Sequence, residues 1–376
     1  MPNYDAIVIG AGGMGSAALY HLARRGVRVL GLEQFHPNHE LGSSHGVNRI
    51  IRLAYAEDPA YVPLLHRAYE LWREMEQRVG EQLLYVTGGI DVGLSTSATV
   101  EGSLRSCHTH HLPHEVLDAA ALKQRFPGCR FPSELIAVYQ PDAGFLLAER
   151  CVMAHVKAAQ TLGAEVHYQE RVLKWEAGAS DVWVRTDRDS YRAEKLVIAA
   201  GPWASSLVPL LADLAVPERQ VLMWSQPLQP EIFRPGAFPV FVLDVPEGLL
   251  YGTPIFEIPG FKIGRYHHLH QQVDPDRMDR ECHPEDEKVL RAAIRRYFPA
   301  ADGPTLTLKT CIFTNSPDGH FIVDLHPQSP RILVAAGFSG HGFKFSSVVG
   351  EVLSDLVLSG GTQRDISLFR LNRFRV

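Results

Sequence analysis

A glycine-rich segment near the N-terminus has the spacing of a phosphate-binding turn. Residues 10–15 read GAGGMG, between a short apolar run and a stretch with helical periodicity. In this pattern Gly10 permits a tight turn, Gly12 lets the backbone approach a pyrophosphate, and Gly15 allows close helix–strand packing. Glu33 ends the next apolar run, where an acid accepts hydrogen bonds from a ribose and disfavours a 2′-phosphate. The segment predicts a dinucleotide site but does not distinguish NAD from FAD.

A second glycine-rich turn lies near the C-terminus. An apolar run that includes Val334 is followed by Gly337, Gly340 and Gly342, and Lys344 comes two residues later. A strand that passes through such a turn into a helix presents another helix N-terminus, which stabilises negative charge. Three glycines are more than a simple connection needs, which favours a site. The alternative is an ordinary loop with a solvated lysine.

Hydrophobic periodicity predicts the elements that hold these turns. Short apolar, β-branched runs predict strands at 4–9, 27–32, 165–172, 182–186, 191–200 and 331–336. Apolar residues at helical spacing predict helices at 13–25, 63–77, 148–162 and 346–358. The first strand–helix–strand unit implies a parallel sheet. The fold class is therefore predicted to be α/β.

The middle of the chain differs in composition from its ends. Between about 210 and 310, proline and aromatic residues are frequent, and strand-like runs occur at 238–243 and 260–264. The length of 376 residues also suggests two domains. We therefore predict a second, sheet-rich α+β domain.

Charge and hydropathy exclude several classes of partner. The formal net charge is −5, without a basic tail or an acidic run, which argues against a nucleic-acid or anionic membrane surface. No stretch approaches the roughly 18 apolar residues of a membrane span. The first apolar run is too short for a signal peptide. We expect a cytoplasmic protein with no nucleic-acid or membrane partner.

The cysteines and histidines lack the spacing of a metal site. The five cysteines are scattered and form no CxxC pair, which excludes a disulfide framework and a structural zinc site. Two histidine-rich stretches, at 107–114 and 267–270, do not present their histidines on a single helical face. We predict no metal ion.

Taken together, these segments resemble the monomeric sarcosine oxidase and N-methyltryptophan oxidase family of flavoenzymes. The resemblance covers nearly the whole chain and rests on GAGGMGSAALYHLARRG at 10–26, GSSHGVNRIIR at 42–52, KTCIFTNSPDGHFIVDLHP at 309–327 and AAGFSGHGFKFSS at 335–347. It implies a glutathione-reductase-like fold with a discontinuous FAD-binding Rossmann domain at 1–85, 145–210 and 311–376. The implied substrate domain comprises 86–144 and 211–310.

The resemblance also implies a cofactor and a reaction. Family members oxidise secondary amino acids to imines, reduce O2 to hydrogen peroxide, and carry FAD bonded through a cysteine sulfur to its 8α carbon. The cysteine of that motif matches Cys311, and such a tether tends to raise the flavin potential. Beside a flavin, the C-terminal turn could support negative charge at the N1–O2 edge of the ring. The cofactor residues implied are Gly10, Gly12, Gly15, Glu33, Ser43, Ser44, Cys311, Gly340, Gly342 and Lys344.

An amino-acid substrate needs a cationic clamp for its carboxylate. Arginine offers two parallel donors, and lysine a point charge. By resemblance, Arg52 and Lys344 form this clamp; the alternative for Arg52 is a surface ion pair with Glu57 or Asp58. Further residues implied to line the substrate pocket are Tyr251, Phe313 and Val242.

The residues implied to act beside the flavin are Lys262, Arg49, His45 and His267. Lys262 matches the lysine that activates O2, because a cation stabilises superoxide-like charge. Arg49 would tune the flavin potential and His45 would order the pocket. No protein base is required, since the neutral amine delivers hydride. The family often has histidine where this chain has Tyr266, and His267 follows, so either residue is a candidate to face the flavin.

Three departures from the family bear on the substrate. Phe313 replaces a common tyrosine, Val242 a common methionine and Asn48 a common threonine, which predicts a more apolar or roomier pocket. The predicted function is oxidation of an N-methyl or cyclic secondary amino acid, sarcosine being the first candidate, by a monomer that uses O2. The alternatives are a flavin dehydrogenase with a protein acceptor, an NAD-dependent dehydrogenase and a nucleotide-binding sensor.

Overall fold

The computed structural model describes residues 3–374, which contain nineteen strands and eight α-helices. In chain order the strands are β1 (Asn3–Ile9), β2 (Val29–Leu32), β3 (Asn48–Ile51), β4 (Leu84–Val86), β5 (Gly89–Leu94), β6 (Glu115–Asp118), β7 (Leu135–Gln140), β8 (Gly144–Leu147), β9 (Glu165–His167), β10 (Val172–Ala177), β11 (Val182–Thr186), β12 (Ser190–Ile198), β13 (Val216–Ser225), β14 (Val240–Val245), β15 (Gly248–Thr253), β16 (Phe261–Arg265), β17 (Thr305–Asn315), β18 (Ile322–His326) and β19 (Ser329–Ala336). The helices are α1 (Gly13–Arg24), α2 (Val62–Val79), α3 (Ala98–His110), α4 (Ala119–Arg125), α5 (Ala148–Thr161), α6 (Ala204–Leu207), α7 (Pro284–Tyr297) and α8 (Ser346–Ser359).

The first sheet is built around β1. Its strands run in the order β10-β11-β12-β1-β2-β9, and β19 joins β12 and carries β18. The pairs β1–β2, β1–β12 and β12–β19 are parallel, so the predicted strand–helix–strand unit is confirmed. Apolar side chains of α1, α5 and α8 pack together with one face of this sheet. The strands are apolar along both faces because both are covered.

The second sheet occupies the region in which a sheet-rich domain was predicted. Its order is β17-β13-β16-β15-β14-β5-β7-β6, and its pairs are antiparallel except β14–β5. Helix α7 packs against it through an aromatic core that contains Phe241, Phe261 and Phe298. The α/β architecture with a second, sheet-rich part is confirmed. The domain bounds stay a prediction, and β17 spans the predicted boundary at 311.

A small third sheet carries the segment that leads to Arg52. It has the order β3-β8-β4, and β3 pairs antiparallel with β8. The chain after β3 therefore leaves the sheet at Arg52, which is buried. This places a charged side chain 2.6 Å from Asp91, which lies on β5 of the second sheet.

One predicted strand is interrupted. The run at 165–172 forms β9 only as far as His167, and β10 starts at Val172. Gln169 has a φ of 55°, a left-handed conformation that ends strand pairing. Glu170 is buried and accepts hydrogen bonds from the hydroxyls of Thr186 and Tyr191. Glu170 therefore makes buried side-chain hydrogen bonds at a position where the sequence predicted a continuous strand.

Two further expectations concern membrane-spanning helices and the cysteines. Within residues 3–374, no helix combines the length and the apolar character that crossing a membrane requires. The cytoplasmic location stays a prediction. All five cysteines have free thiols; Cys282 is partly exposed and the other four are buried.

Candidate active site

The turn between β1 and α1 is closed by glycines that admit no side chain. Gly10 has a φ of 89°, and a Cβ there would lie 2.5 Å from the carbonyl oxygen of Ala199. A Cβ at Gly15 would lie 1.8 Å from the carbonyl oxygen of Gly10. At Gly12, by contrast, the nearest atom is the Ser44 hydroxyl at 3.7 Å. Gly10 and Gly15 allow close packing of the backbone, whereas Gly12 leaves open space for a ligand.

Glu33 ends β2 beside this turn. One carboxylate oxygen accepts a hydrogen bond from the Ala11 amide at 2.9 Å, and the other accepts one from the Phe35 amide at 3.1 Å. Burial raises the pKa of Glu33, although these amides oppose the shift. A carboxylate accepts about four hydrogen bonds. Capacity therefore remains for hydroxyl groups of a ligand.

A large cavity of about 210 Å³ extends from this turn to the C-terminal glycine turn. The predicted residues on its wall are Gly10, Gly12, Glu33, Ser43, Ser44, Arg49, Phe313, Gly340 and Gly342. We call it the cofactor cavity. Gly340 has a φ of 76°, and a Cβ there would lie 2.4 Å from the Phe313 ring, so the ring packs directly on the backbone of the turn.

A smaller cavity of about 50 Å³ adjoins the first. Its predicted residues are Arg49, Arg52, Val242, Tyr251, Lys262 and Lys344. We call it the substrate pocket. Arg49, Gly340 and Phe343 line both cavities. Segments that are far apart in the chain thus bring four basic side chains to one small pocket, while Phe313 lines only the cofactor cavity.

Arg52 is paired with two carboxylates. Its Nη1 donates to Oδ1 of Asp91 at 2.6 Å, and its Nη2 donates to Oε2 of Glu57 at 3.2 Å. Burial alone would lower the pKa of Arg52, but these two acids raise it above its ordinary value. The Arg52 side chain is only 8% exposed. The ion pair with Glu57, which was the alternative for Arg52, is therefore present. However, the Arg52 side chain is buried and does not lie at the surface.

Lys344 lies in the turn before α8. Its Nζ donates to the His341 carbonyl oxygen at 2.7 Å and lies 3.5 Å from the Tyr55 hydroxyl. Burial and the charge of Arg52 lower the pKa of Lys344 to about 7. This amine gains or loses its charge near neutral pH. The alternative of a solvated lysine is excluded, since Lys344 is buried.

A family model described as FAD dependent oxidoreductase, DAO, matches residues 5–356. The chain belongs to this family. The monomeric sarcosine oxidase of Streptomyces avermitilis is 44% identical, and the match covers 98% of this chain and 97% of that protein. The N-methyl-L-tryptophan oxidase of Yersinia pestis is 35% identical, with 99% and 100% covered. In the solved structures, NikD, an unusual amino acid oxidase essential for nikkomycin biosynthesis, has a TM-score of 0.84 at 26% identity, with 98% of both chains covered.

The site of this FAD-dependent oxidoreductase fits its cofactor. The backbone at Gly12 faces open space, as close approach of a pyrophosphate requires. Glu33 retains acceptors for a ribose, and the cavity continues to a second turn where helix α8 begins. An acid in this position fits FAD and not a 2′-phosphate. The prediction of FAD is confirmed, and an NAD-dependent dehydrogenase is not favoured.

Lys262 projects from β16 into the wall of the substrate pocket. Its Nζ donates to the carbonyl oxygens of Gly46 and Asn48, at 2.8 and 2.7 Å, and to Oδ1 of Asn48 at 2.8 Å. Burial, reinforced by Arg49, lowers the pKa of Lys262 well below its ordinary value. Three acceptors nevertheless match the three donors of an ammonium ion. This geometry indicates the charged form.

Cys311 lies just behind the wall of the cofactor cavity. It belongs to β17, is 2% exposed, and its Sγ lies 4.0 Å from the Ser43 carbonyl oxygen. Nη2 of Arg49 lies 3.6 Å from the same sulfur and donates to the Ser43 oxygen at 3.0 Å. Ser43 and Arg49 both line the cavity. The thiol, Arg49 and the serine segment therefore meet at one place.

His45 is buried near this cluster but lines neither cavity. It is 1% exposed, and neither ring nitrogen has a hydrogen-bond partner in the part of the chain that the structure describes. Burial, together with Arg49, Lys309 and Lys262, lowers the pKa of His45 to about 3. A neutral ring suits the predicted ordering role and not that of an acid.

Tyr266 and His267 point to different surroundings. Tyr266 lines the substrate pocket, and its hydroxyl lies 3.4 Å from the Gly340 carbonyl oxygen. His267 lies outside both cavities, because Nδ1 pairs with Glu218 at 2.8 Å. Ligand atoms of Glu218, His267 and His270 lie within 4.8 Å of one another at the surface. The structure does not bring His267 to the site, and the absence of a metal ion stays a prediction.

Of the two acids that pair with Arg52, Asp91 was not predicted from the sequence. Asp91 stands between Ile90 and Val92 in β5 and is 2% exposed. A carboxylate in a buried apolar strand needs a cationic or hydrogen-bonding partner. That signal was present in the sequence, but it does not say which arginine or lysine is the partner.

Proposed function

We propose that this FAD-dependent oxidoreductase oxidises a small N-methyl or cyclic secondary amino acid, with sarcosine as first candidate and O2 as electron acceptor. One observation carries the proposal: Arg52 and Lys344 converge on a pocket that shares its wall with the cofactor cavity. A carboxylate held by these cations would place the neighbouring C–N bond toward that shared wall. The Streptomyces relative bears the name monomeric sarcosine oxidase, which supports the substrate class and a monomer.

The size of the pocket favours a short substrate. The substrate pocket of about 50 Å³ is much smaller than the cofactor cavity of about 210 Å³. Sarcosine has no side chain, whereas N-methyltryptophan carries an indole ring. Val242, Tyr251 and Tyr266 enclose the pocket with bulky groups. The departures at Val242 and Phe313 therefore do not open room for an indole.

The reaction assigns specific tasks to the residues. FAD supplies the two-electron acceptor. The neutral amine loses a hydride from its carbon, and the resulting imine hydrolyses in water. Arg52 and Lys344 orient the carboxylate, and no side chain is required to remove a proton. Lys262 stabilises the negative charge that develops when O2 takes two electrons and, with two protons, leaves as hydrogen peroxide.

We assign Cys311 as the attachment point of the cofactor. Its thiol lies against Ser43 and Arg49 of the cavity wall. Cys311 would hold the cofactor through a thioether bond to its 8α carbon, and O2 would accept the two electrons that this attachment releases. Cys311→Ser would keep the cavity but remove the nucleophile.

Two measurements test the proposal. The purified protein is precipitated with acid: a yellow pellet is expected for the natural chain, and a yellow supernatant for Cys311→Ser. Peroxide release is then compared for sarcosine, proline, pipecolate and N-methyltryptophan. Sarcosine should give the highest kcat/KM and N-methyltryptophan the lowest. Absence of flavin, or no peroxide with any secondary amino acid, contradicts the proposal.

A further inference from the structure

Asp91 is a buried acid whose every oxygen is engaged. Oδ1 accepts from Nη1 of Arg52 at 2.6 Å, and Oδ2 accepts from the Ser103 hydroxyl at 2.6 Å and from Nε2 of Gln140 at 3.2 Å. Asp91 is on β5, Ser103 on α3 and Gln140 on β7. Three elements thus fix this carboxylate in one orientation.

The same network extends to the chain that carries Arg52. Oε1 of Gln140 accepts a hydrogen bond from the Ala54 amide at 2.7 Å, two residues after Arg52. Asp91 therefore joins the second sheet to the segment that follows β3. The guanidinium is bound at one end by groups with little freedom to move, because they lie on strands and a helix that are buried.

The other edge of the guanidinium is held loosely. Nη2 has one contact with Glu57 at 3.2 Å, and the Glu57 side chain is 28% exposed. Nε of Arg52 has no hydrogen-bond partner within the described residues. Nε and Nη2 form the edge with which arginine binds a carboxylate through two parallel hydrogen bonds. That edge is the one Asp91 does not occupy.

We propose that Asp91 is a positioning residue that holds Nη1 of Arg52, so that the Nε–Nη2 edge remains directed to the carboxylate of the substrate. This rests on the proposed function, in which Arg52 binds that carboxylate. Asp91 touches neither the substrate nor the reacting atoms. Its effect is to decide between two orientations of Arg52, one toward the ligand and one toward Glu57.

A purely charge-balancing role for Asp91 predicts the opposite sign. If Asp91 only neutralised a buried cation, Asp91→Asn would remove a negative charge close to the ligand and tighten anion binding. If Asp91 positions Arg52, the neutral amide holds Nη1 more weakly, and Glu57 is then the one anionic partner left among the described residues. Arg52 then turns toward Glu57, and anion binding weakens.

The test measures binding of methoxyacetate to the flavin-loaded enzyme. In this analogue of sarcosine an ether oxygen replaces the amine, so no imine can form. Binding is followed through the flavin absorbance. For Asp91→Asn we expect a Kd about tenfold higher, a KM for sarcosine raised by a similar factor and a smaller change in kcat. Ser103→Ala keeps every charge and removes one hydrogen bond to Asp91, so a smaller rise in Kd is expected.

Two further variants complete the design. Asp286→Asn is a matched control, because Asp286 is a buried acid that binds Arg219 at 2.8 and 2.9 Å, and neither residue lines the substrate pocket. It should lower thermal stability and leave Kd unchanged. In Asp91→Asn/Glu57→Gln, Arg52 loses the competing acid, so Kd should return toward the natural value.

The outcomes separate this inference from the proposed function. If the natural enzyme neither binds methoxyacetate nor oxidises sarcosine, the proposed function fails. If the natural enzyme does both and Asp91→Asn leaves Kd unchanged or lowers it, the positioning role fails while the function stands. If Asp91→Asn does not fold, Ser103→Ala decides: an unchanged Kd overturns the inference.

Discussion

The cofactor cavity and the substrate pocket share a wall but are built differently. The turn between β1 and α1, which borders the cofactor cavity, is defined by the shape of its backbone. Gly10 and Gly15 exclude side chains, and Gly12 leaves space. The substrate pocket is defined by charged side chains such as Arg52 and Lys344. We expect a site defined by backbone shape to be lost completely when one of its packing glycines is substituted. A site made by charged side chains should respond gradually, because more than one charge attracts the ligand.

The two regions also differ in how their charges are balanced. Backbone amides, which do not titrate, hold the carboxylate of Glu33. In the pocket, Arg52 faces two acids, and Lys344 has a pKa of about 7. The pocket therefore contains an amine that titrates near neutrality, whereas the amides of the turn carry no titrating proton.

The turn should fail abruptly when its packing glycine is changed. In Gly15→Ala the new Cβ would lie 1.8 Å from a backbone oxygen, so the turn cannot close without moving the strand or the helix. We expect a loss of about 3 kcal/mol in the free energy of unfolding. Soluble yield and chemical denaturation of the purified protein measure this loss.

Gly12→Ala is the matched control for that variant. The nearest atom to its new Cβ is 3.7 Å away, so the fold should tolerate it, but the methyl group would occupy the path of a pyrophosphate. We expect a soluble protein with substoichiometric flavin. Equal destabilisation by both variants would show that the two glycines do not have separate tasks.

The turn was predictable from the sequence for the same physical reason. Its glycines, helix and acid lie within about 30 residues, so spacing alone reports their geometry. The charged pocket was only partly predictable. Resemblance indicated Arg52 and Lys344, but their surroundings come from strands and helices distant in the chain. Asp91 reaches Arg52 because β5 pairs with β14 and β7 in the second sheet, which no local sequence pattern indicates.

Removal of the Lys262 ammonium should slow the reaction with O2. Lys262→Met takes away the cation that the proposed function assigns to peroxide formation, so reoxidation should be about 100-fold slower. The experiment mixes substrate-reduced enzyme rapidly with oxygenated buffer and follows the flavin absorbance. Anaerobic reduction by sarcosine, measured on the same variant, should slow far less. Undiminished reoxidation would favour a dehydrogenase with a protein acceptor.

The pH dependence of ligand binding should follow Lys344. Below its pKa of about 7 this amine is a cation and attracts a carboxylate; above it the charge is lost. Kd for methoxyacetate should therefore rise as pH increases from 6 to 8, by at most about tenfold per unit. The charged or titratable groups around Lys344 are Arg52, Glu57, Asp91, Tyr55 and His341.

Two of those neighbours can be set aside in this interval. The charges of Arg52, His341 and Lys344 outweigh burial and lower the pKa of Glu57 to about 2, and burial lowers the pKa of His341 to about 4. In Lys344→Met the Kd should be about tenfold higher at pH 6 and nearly independent of pH. A variant that retains the pH dependence would assign it to another group. The pKa values of Arg52 and Tyr55 are raised above their ordinary values, so the remaining candidate would be Asp91.

The smallest effect is expected at the partly exposed partner of Arg52. Glu57→Gln removes the acid that competes with a substrate carboxylate for Nη2, so methoxyacetate should bind about threefold more tightly, as suits a partly solvated ion pair. Asp58→Asn is the control, because Asp58 accepts a hydrogen bond from the Ala60 amide and not from Arg52. Tighter binding in Glu57→Gln alone would show that one of the two acids on Arg52 is exchangeable. Weaker binding would mean that Glu57, like Asp91, supports the orientation of Arg52, and the pocket would then be as rigid as the glycine turn.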